Sequence, residues 1–247
     1  MDSGRAEPIE LLVAKGMDWE YLMSLARRHR MMPLLYWHLS TICPESVPPL
    51  ALRQLQDHFR TNSRRNLILV AELLELLSLF EDNGIPAIPY KGPVLASWVY
   101  GNVSLRQFCD LDILVPKSLA LKARDLLISR GYQPNVHLSA SHQTAYLEAQ
   151  CEFCQVNIEK RVAVEVHWDI VPSHMAFPID LQQLWQRLVP ISFAGTTVRS
   201  FPPEDLLLIL CVHGTKHRWE RLDWICGVSE LIRRHHEINW KRVTEQA

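Results

Sequence analysis

The chain has 247 residues, 48% of them hydrophobic and 21% charged, with 26 Lys+Arg against 27 Asp+Glu. These values describe an ordinary globular protein with a substantial core and exclude disordered, collagen-like and low-complexity classes. A net charge of −1 provides no general field for a nucleic-acid backbone, so a long nucleic acid is not an expected partner. The longest uninterrupted apolar run, residues 206–212, falls far short of the roughly 20 residues of a membrane-spanning helix, and no membrane association is expected. The first residues, MDSGRAEP, lack the basic-then-apolar layout of a secretory signal. With six cysteines in a chain of this size, free thiols in a reducing cytoplasm are the simplest expectation. Cys151 and Cys154 form a single C-x-x-C, read here as two small residues on a strand.

Three regions are expected. Residues 1–84 carry a helical pattern. Asp18 is placed as an N-cap before WEYLMSLARRHR, MPLLYWHL continues it, and a long helix follows to Asn83. Leu52, Leu55, Phe59, Leu67, Val70, Leu73, Leu74, Leu77 and Phe80 recur there at helical spacing. Gly84 stands where a helix-ending glycine belongs. Arg60, Arg64 and Arg65 read as a solvated face that could also reach a phosphate-bearing ligand.

Residues 85–202 change to strands alternating with helices. IPAIPY reads as a buried strand, and Pro93 suits the first turn of a helix to Tyr100. A strand over 110–116 and a helix over 118–130 closed by Gly131 come next. Strands at 151–158 and 162–168 meet at a polar turn, and Ala194-Gly195 suggests a hairpin. Residues 203–247 return to helices. The last of these stops after barely two turns, so an early end is expected here, either of the natural chain or by truncation. The fold class is therefore α+β: a small mixed sheet with helices, between N-terminal and C-terminal helical regions.

The most informative stretch is Asp110-Leu111-Asp112-Ile113-Leu114-Val115. Strand side chains alternate, so Asp110 and Asp112 share one face. Burying two repelling carboxylates is costly unless cations compensate them. Mg²⁺ or Mn²⁺ suits such hard oxygen ligands. In VAVEVHW the same alternation sets Ala163, Glu165 and His167 on one face. If the two strands are neighbours, Glu165 joins the aspartates. The spacing alone leaves a second reading open, with Arg106 pairing one aspartate and Lys160 or a backbone amide holding Glu165.

Several motifs together, YKGPVLASWVYGNVSLRQFCDLDILVP, VEVHWDI and LLLILCVHGTKHRWERLDWICGVSELI, resemble the uncharacterised nucleotidyltransferase family of the DNA polymerase-β-like superfamily. The N-terminal helices are similar to that family as well, so the resemblance spans nearly the whole chain. It implies a nucleotidyltransferase fold whose small mixed sheet carries the acids. Asp110, Asp112 and Glu165 would be the catalytic and metal-binding residues, sharing two Mg²⁺ (or Mn²⁺) ions. The reaction implied moves a nucleoside monophosphate, AMP from ATP above all, onto a hydroxyl of an unidentified acceptor. The alternative is a nucleotide-binding or interaction module that kept the fold and not the turnover.

The same resemblance makes Lys91, Gly92, Arg106, His167, His213, Lys216 and His217 the nucleotide-binding set. Lys91 would meet the β- or γ-phosphate, and Arg106 would clamp phosphate or orient Asp110. His213 and His217 have zinc-ligand spacing, but no Glu lies between them to act as base and Lys216 opposes a cation, so a zinc hydrolase is not expected. Trp168, Trp219 and Trp224 read as core, with base stacking open to one of them. The chain departs from the superfamily pattern in three places. Gly92-Pro93 stands where Gly-Ser is usual, Glu165 where Asp is commoner, and Cys226-Gly227 where an Asp is expected.

Overall fold

The computed structural model describes residues 6–175 and 179–246. Among these, no helix is long and apolar enough to cross a membrane. The N-terminal helices are α1 (Ala6–Ala14), α2 (Trp19–Arg28), α3 (Met32–Ile42) and the long α4 (Pro49–Asp82). Asp18 caps α2 as expected, its carboxylate accepting the Tyr21 N–H at 2.9 Å. Helix α4 is followed, after Asn83, by Gly84, whose φ of +67° is the left-handed conformation that lets the chain turn away.

Helix α4 has two faces with different tasks. Leu69, Val70, Leu73, Leu76 and Phe80 are buried against the sheet. Leu67, expected inside, is 60% exposed instead, because Asn66 and not Leu67 occupies the inward position of that turn. Asn62 and Asn66 are both buried and face the chain between α5 (Gly92–Tyr100) and the second strand. The Asn66 amide donates to the carbonyls of Val103 and Arg106 at 2.6 and 2.8 Å, and the Asn62 amide to those of Ser104 and Arg106 at 3.1 and 3.2 Å. Four carbonyl contacts thereby fix the segment that presents Arg106. The solvated reading holds for Arg60 and Arg64, which are exposed, whereas Arg65 is half-buried and donates to the Arg161 carbonyl.

The main sheet has the order β1-β2-β5-β4-β3. Its strands are β1 (Ile88–Pro89), β2 (Asp110–Leu114), β3 (Gln133–Pro134), β4 (Glu152–Asn157) and β5 (Val162–His167). β2 and β5 are parallel neighbours, and the other pairs are antiparallel. The run IPAIPY forms only a two-residue edge strand, shorter than expected, because Pro86 and Pro89 lack the N–H groups a ladder needs. Helix α6 (Ala120–Ser129) and Gly131 follow the expectation closely, and β6 (Val189–Phe193) and β7 (Thr196–Ser200) form the anticipated hairpin. Two helices gave no advance sign, α7 (Ala140–Ala149) and α8 (Leu181–Gln186).

The inward faces of β2 and β5 are wholly apolar. Leu111, Ile113, Val162, Val164 and Val166 are each 0% exposed and pack with α4 and α6. Burying five such side chains contributes roughly 1.5–3 kcal/mol apiece, and this anchors the sheet so firmly that the opposite face can carry charge. Helices α9 (Pro203–Lys216), α10 (Leu222–Arg234) and α11 (Trp240–Gln246) close that face, sharing a second core with β1 and α5. The turn from α9 to α10 is set by a close contact. A Cβ on Gly214 would stand 2.5 Å from the Trp219 ring, and Arg218 and Trp219 both adopt positive φ to bring that ring back over the helix.

Candidate active site

The polar faces of β2 and β5 and the termini of α5, α9 and α10 enclose a cavity of about 310 Å³. All ten residues singled out from the sequence line it: Asp110, Asp112, Glu165, Lys91, Gly92, Arg106, His167, His213, Lys216 and His217. The parallel register brings this about. Asp112 and Glu165 are Cα partners across β2 and β5, and Asp110 lies two residues from Asp112 on the same face. The expected neighbourhood of the two strands is therefore what the chain adopts.

The acids do not share one environment. Asp112 is 6% exposed; Lys91 Nζ is 2.5 Å from its Oδ1 and His167 Nε2 3.1 Å from the same oxygen. Burial alone would raise the Asp112 carboxyl, but Lys91 and His167 hold it well below the usual carboxylate range. Burial opposes the charge on Lys91 as well, and Asp112 beside it holds the ammonium above its ordinary value. Asp110 is the opposite case. Burial pushes its carboxyl up, and repulsion from Asp112 and Glu165 adds to that. Its side-chain hydrogen-bond donor among the described residues is the Cys109 thiol, 3.7 Å from Oδ2. Thus Asp112 is compensated by the protein, while Asp110 keeps unspent acceptor capacity.

The alternative pairings considered from sequence are not the ones formed. Asp112 takes Lys91 and His167, and Lys160 lies 2.6 Å from Glu72 on α4 instead of reaching Glu165. Glu165 has His167 Nε2 at 3.5 Å. Ligand atoms of Asp112, Glu165 and His167 lie within 4.8 Å of one another. The three carboxylates opening on this cavity make a donor set that fits Mg²⁺ or Mn²⁺, with the His167 imidazole beside them bonded to Asp112. Asp110 stands outside that tightest group but lines the same cavity.

Basic groups oppose these acids. Lys91 and Gly92 mark the start of α5, with Gly92 at φ +52° and its Cα close enough that an added Cβ would lie 3.1 Å from the Asp110 carbonyl oxygen. Pro93 follows in the first turn, so this helix start offers one N–H fewer. The Nε atoms of Arg106 and Arg221 are buried without a hydrogen-bond partner among the described residues. Arg221 lies 4.0 Å over the Trp224 ring and 3.4 Å from Asp223. His213 and His217 contact the same Trp224. Burial, reinforced by Lys91, pushes His213 down to about 2, so it is neutral; burial and Lys216 lower His217 too.

Of the three tryptophans, Trp168 and Trp224 are buried and only Trp224 lines the cavity. Gly227 has open space where a Cβ would stand, and the aspartate of this helix is the buried Asp223, a turn earlier than expected. Sequence reasoning missed Arg30, Glu152 and Arg221 as lining residues. Arg30 turns in from the end of α2 through a positive φ of 56° and donates to Cys109 Sγ at 3.5 Å; no local pattern announces this. Glu152 was findable, because β4 alternates and this residue opens it on a polar position.

The chain is similar to two known proteins. Over 142 residues the chain is 23% identical to tRNA(Met) cytidine acetate ligase of Streptococcus thermophilus (strain CNRZ 1066), a match covering 55% of this chain; the chain spans only 38% of that relative's length. The solution structure of the antibiotic-resistance factor ANT(2'')-Ia superimposes with a TM-score of 0.50 at 12% identity, covering 73% of this chain and 90% of that one. The crystal structure of ANT(2'')-Ia with adenylyl-2''-tobramycin gives 0.47 at 14% identity, covering 72% and 94%. The fold is thus that of the nucleotidyltransferases. Residues 15–247 match the family described as uncharacterised nucleotidyltransferase, and the chain belongs to that family.

Proposed function

We propose that the protein transfers a nucleoside monophosphate, AMP from ATP in the first instance, to a hydroxyl of a small-molecule acceptor. The observation that carries this is the register of β2 against β5, which sets Glu165 opposite Asp112 with Asp110 on the same face. In the reaction the acceptor oxygen bonds to the α-phosphorus, the bond to the bridging oxygen breaks, and pyrophosphate leaves as the hydroxyl proton is lost. Held by Asp110, Asp112 and Glu165, with His167 beside them, divalent cations would neutralise the phosphates and acidify the attacking hydroxyl.

The remaining residues bind and orient. Lys91 and the start of α5 face the terminal phosphates, where an ammonium and backbone N–H groups suit anionic oxygens. Arg106 brings an unpartnered buried N–H to the same cavity, its backbone held by Asn62 and Asn66. Neutral His213 and the Trp224 ring offer an uncharged wall suited to a base. Lys216 and Arg221 add positive charge opposite the acids.

Two observations favour a second reading, binding without turnover: Pro93 removes a donor from the helix start and Lys91 is already engaged by Asp112. Both readings are tested by incubating the protein with labelled ATP, Mg²⁺ and a cell extract, while following melting temperature and pyrophosphate. Label transfer with pyrophosphate release supports the enzyme. A nucleotide-dependent rise in melting temperature without pyrophosphate selects the second reading, and neither effect refutes both.

A further inference from the structure

Glu152 is a fourth carboxylate in the cavity, and neither cation binding nor phosphate binding accounts for it. It opens β4 as the Cα partner of His167. Its Oε2 stands 3.2 Å from His167 Nδ1 and 4.0 Å from Lys216 Nζ. The other ring nitrogen of His167, Nε2, lies 3.1 Å from Asp112 Oδ1 and 3.5 Å from Glu165 Oε2. The imidazole is 3% exposed, so it is wedged between Glu152 on one side and the two acids on the other.

His167 Nδ1 is buried and makes no aligned hydrogen bond among the described residues. Two groups stand near enough to take its proton, because the Cys151 thiol, the Glu152 carboxylate and the ring lie within 4.8 Å of one another. The carboxylate is the stronger acceptor. A bond to an ionised acceptor is roughly twice as strong as a neutral one, and a thiol sulfur accepts weakly. The same three groups are a poor separate metal site, since the Lys216 ammonium faces the Glu152 oxygen that would have to bind the cation.

We propose that Glu152 is a positioning residue of the acidic site: it holds the Nδ1–H of His167, fixes Nε2 toward Asp112 and Glu165, and through Lys216 ties helix α9 to that face. The cation-facing half of this rests on the proposed function. The hydrogen-bond half does not. Imidazoles beside metal sites are oriented in this way by carboxylates, and losing such a partner weakens metal affinity on the order of 10- to 100-fold.

The experiment compares wild type, Glu152→Ala, Glu152→Gln and Cys151→Ala as full chains. In metal-free protein, ¹⁵N spectra of His167 report which ring nitrogen carries the proton and whether the ring is fixed. Wild type and Cys151→Ala should give the same pattern with Nδ1 protonated. Glu152→Ala should lose it, and Glu152→Gln, which keeps an acceptor oxygen, should restore it in part. Mn²⁺ titration should then show a loss of affinity on the order of 10- to 100-fold for Glu152→Ala, less for Glu152→Gln and none for Cys151→Ala. A ring pattern unchanged in both Glu152 variants overturns the proposal, as does a change produced by Cys151→Ala alone. An altered ring pattern with unchanged Mn²⁺ affinity overturns the cation-facing half. Wild type that binds no Mn²⁺ removes the metal reading of the proposed function, while the ring spectra still decide the role of Glu152. Should Glu152→Ala melt before measurement, Glu152→Gln carries both readouts.

Discussion

The start of α5 is pressed against β2 at one point, where Gly92 meets the carbonyl oxygen of Asp110. An added Cβ would lie 3.1 Å from that oxygen, and Gly92 has a φ of +52° that side chains rarely adopt. The two constraints compound, because relieving the contact means moving the strand that carries the acids. Gly92→Ala is expected to cost roughly 1–2 kcal/mol for the left-handed backbone alone, and to weaken ATP binding by shifting the helix start from Asp110. Urea unfolding and calorimetric titration with ATP and Mg²⁺ measure the two effects. A variant as stable as wild type with unchanged affinity would show that this close approach has no functional weight.

The backbone contacts of Arg106 lead to a second prediction. Asn66 is 0% exposed and its amide satisfies two carbonyls. Asn66→Leu keeps the volume but leaves the Val103 carbonyl without this donor, at about 1–3 kcal/mol, while the Arg106 carbonyl keeps the Asn62 amide at 3.2 Å. The expected outcome is a fall in melting temperature, together with a weaker nucleotide-induced rise because Arg106 is held by Asn62 alone. A fall in stability with the nucleotide response intact would confine Asn66 to a structural role.

These asparagines also mark how far the sequence could be read. Asp110, Asp112 and Glu165 were legible because strand alternation is a local rule, and parallel pairing of β2 with β5 turned two local patterns into one face. The ends of α2 and α4 were legible from Asp18 and Gly84 for the same reason. Asn62 and Asn66 were not, since an asparagine inside a basic helical segment looks solvated until the loop it holds is known. Arg30 and Arg221 depend on which elements meet in space, information that no window of neighbouring residues contains, whereas Glu152 could have been read from the alternation of β4. The truncated first strand was readable in hindsight from its two prolines.

The neutral state of His213 sets a pH dependence. Burial lowers it from 6.5 to about 2 in the folded protein. Below about 6.5 the unfolded chain takes up a proton that the folded chain refuses, so unfolding gains. The contribution of this residue is therefore complete above about 6.5 and is lost progressively as pH falls toward 2. His217, also lowered, acts in the same direction, so the measurement is a difference. Chemical denaturation of wild type and His213→Gln at several values between pH 7 and pH 4 should show the wild-type curve falling more steeply with acid. Parallel curves would mean that His213 is protonated in the fold or titrates normally.

The two aspartates of β2 should respond in opposite ways to loss of charge. Asp110 is repelled by its neighbours and, among the described residues, has only a distant thiol as side-chain donor, so Asp110→Asn in metal-free buffer is expected to leave stability unchanged or raise it. Asp112 is clamped by Lys91 and His167, and Asp112→Asn strands both groups in a buried place. Removing one partner of a buried ion pair costs about 3 kcal/mol or more, so this variant should unfold much earlier. Adding Mn²⁺ reverses the comparison. Wild type should gain stability, and both variants should lose that gain, because each has given up a carboxylate facing the cavity. Melting curves with EDTA and with excess Mn²⁺ read all of these effects in one series. Equal destabilisation of the two variants in EDTA would contradict the unequal environments of Asp110 and Asp112, and a full Mn²⁺ response in Asp112→Asn would remove that residue from the cation site.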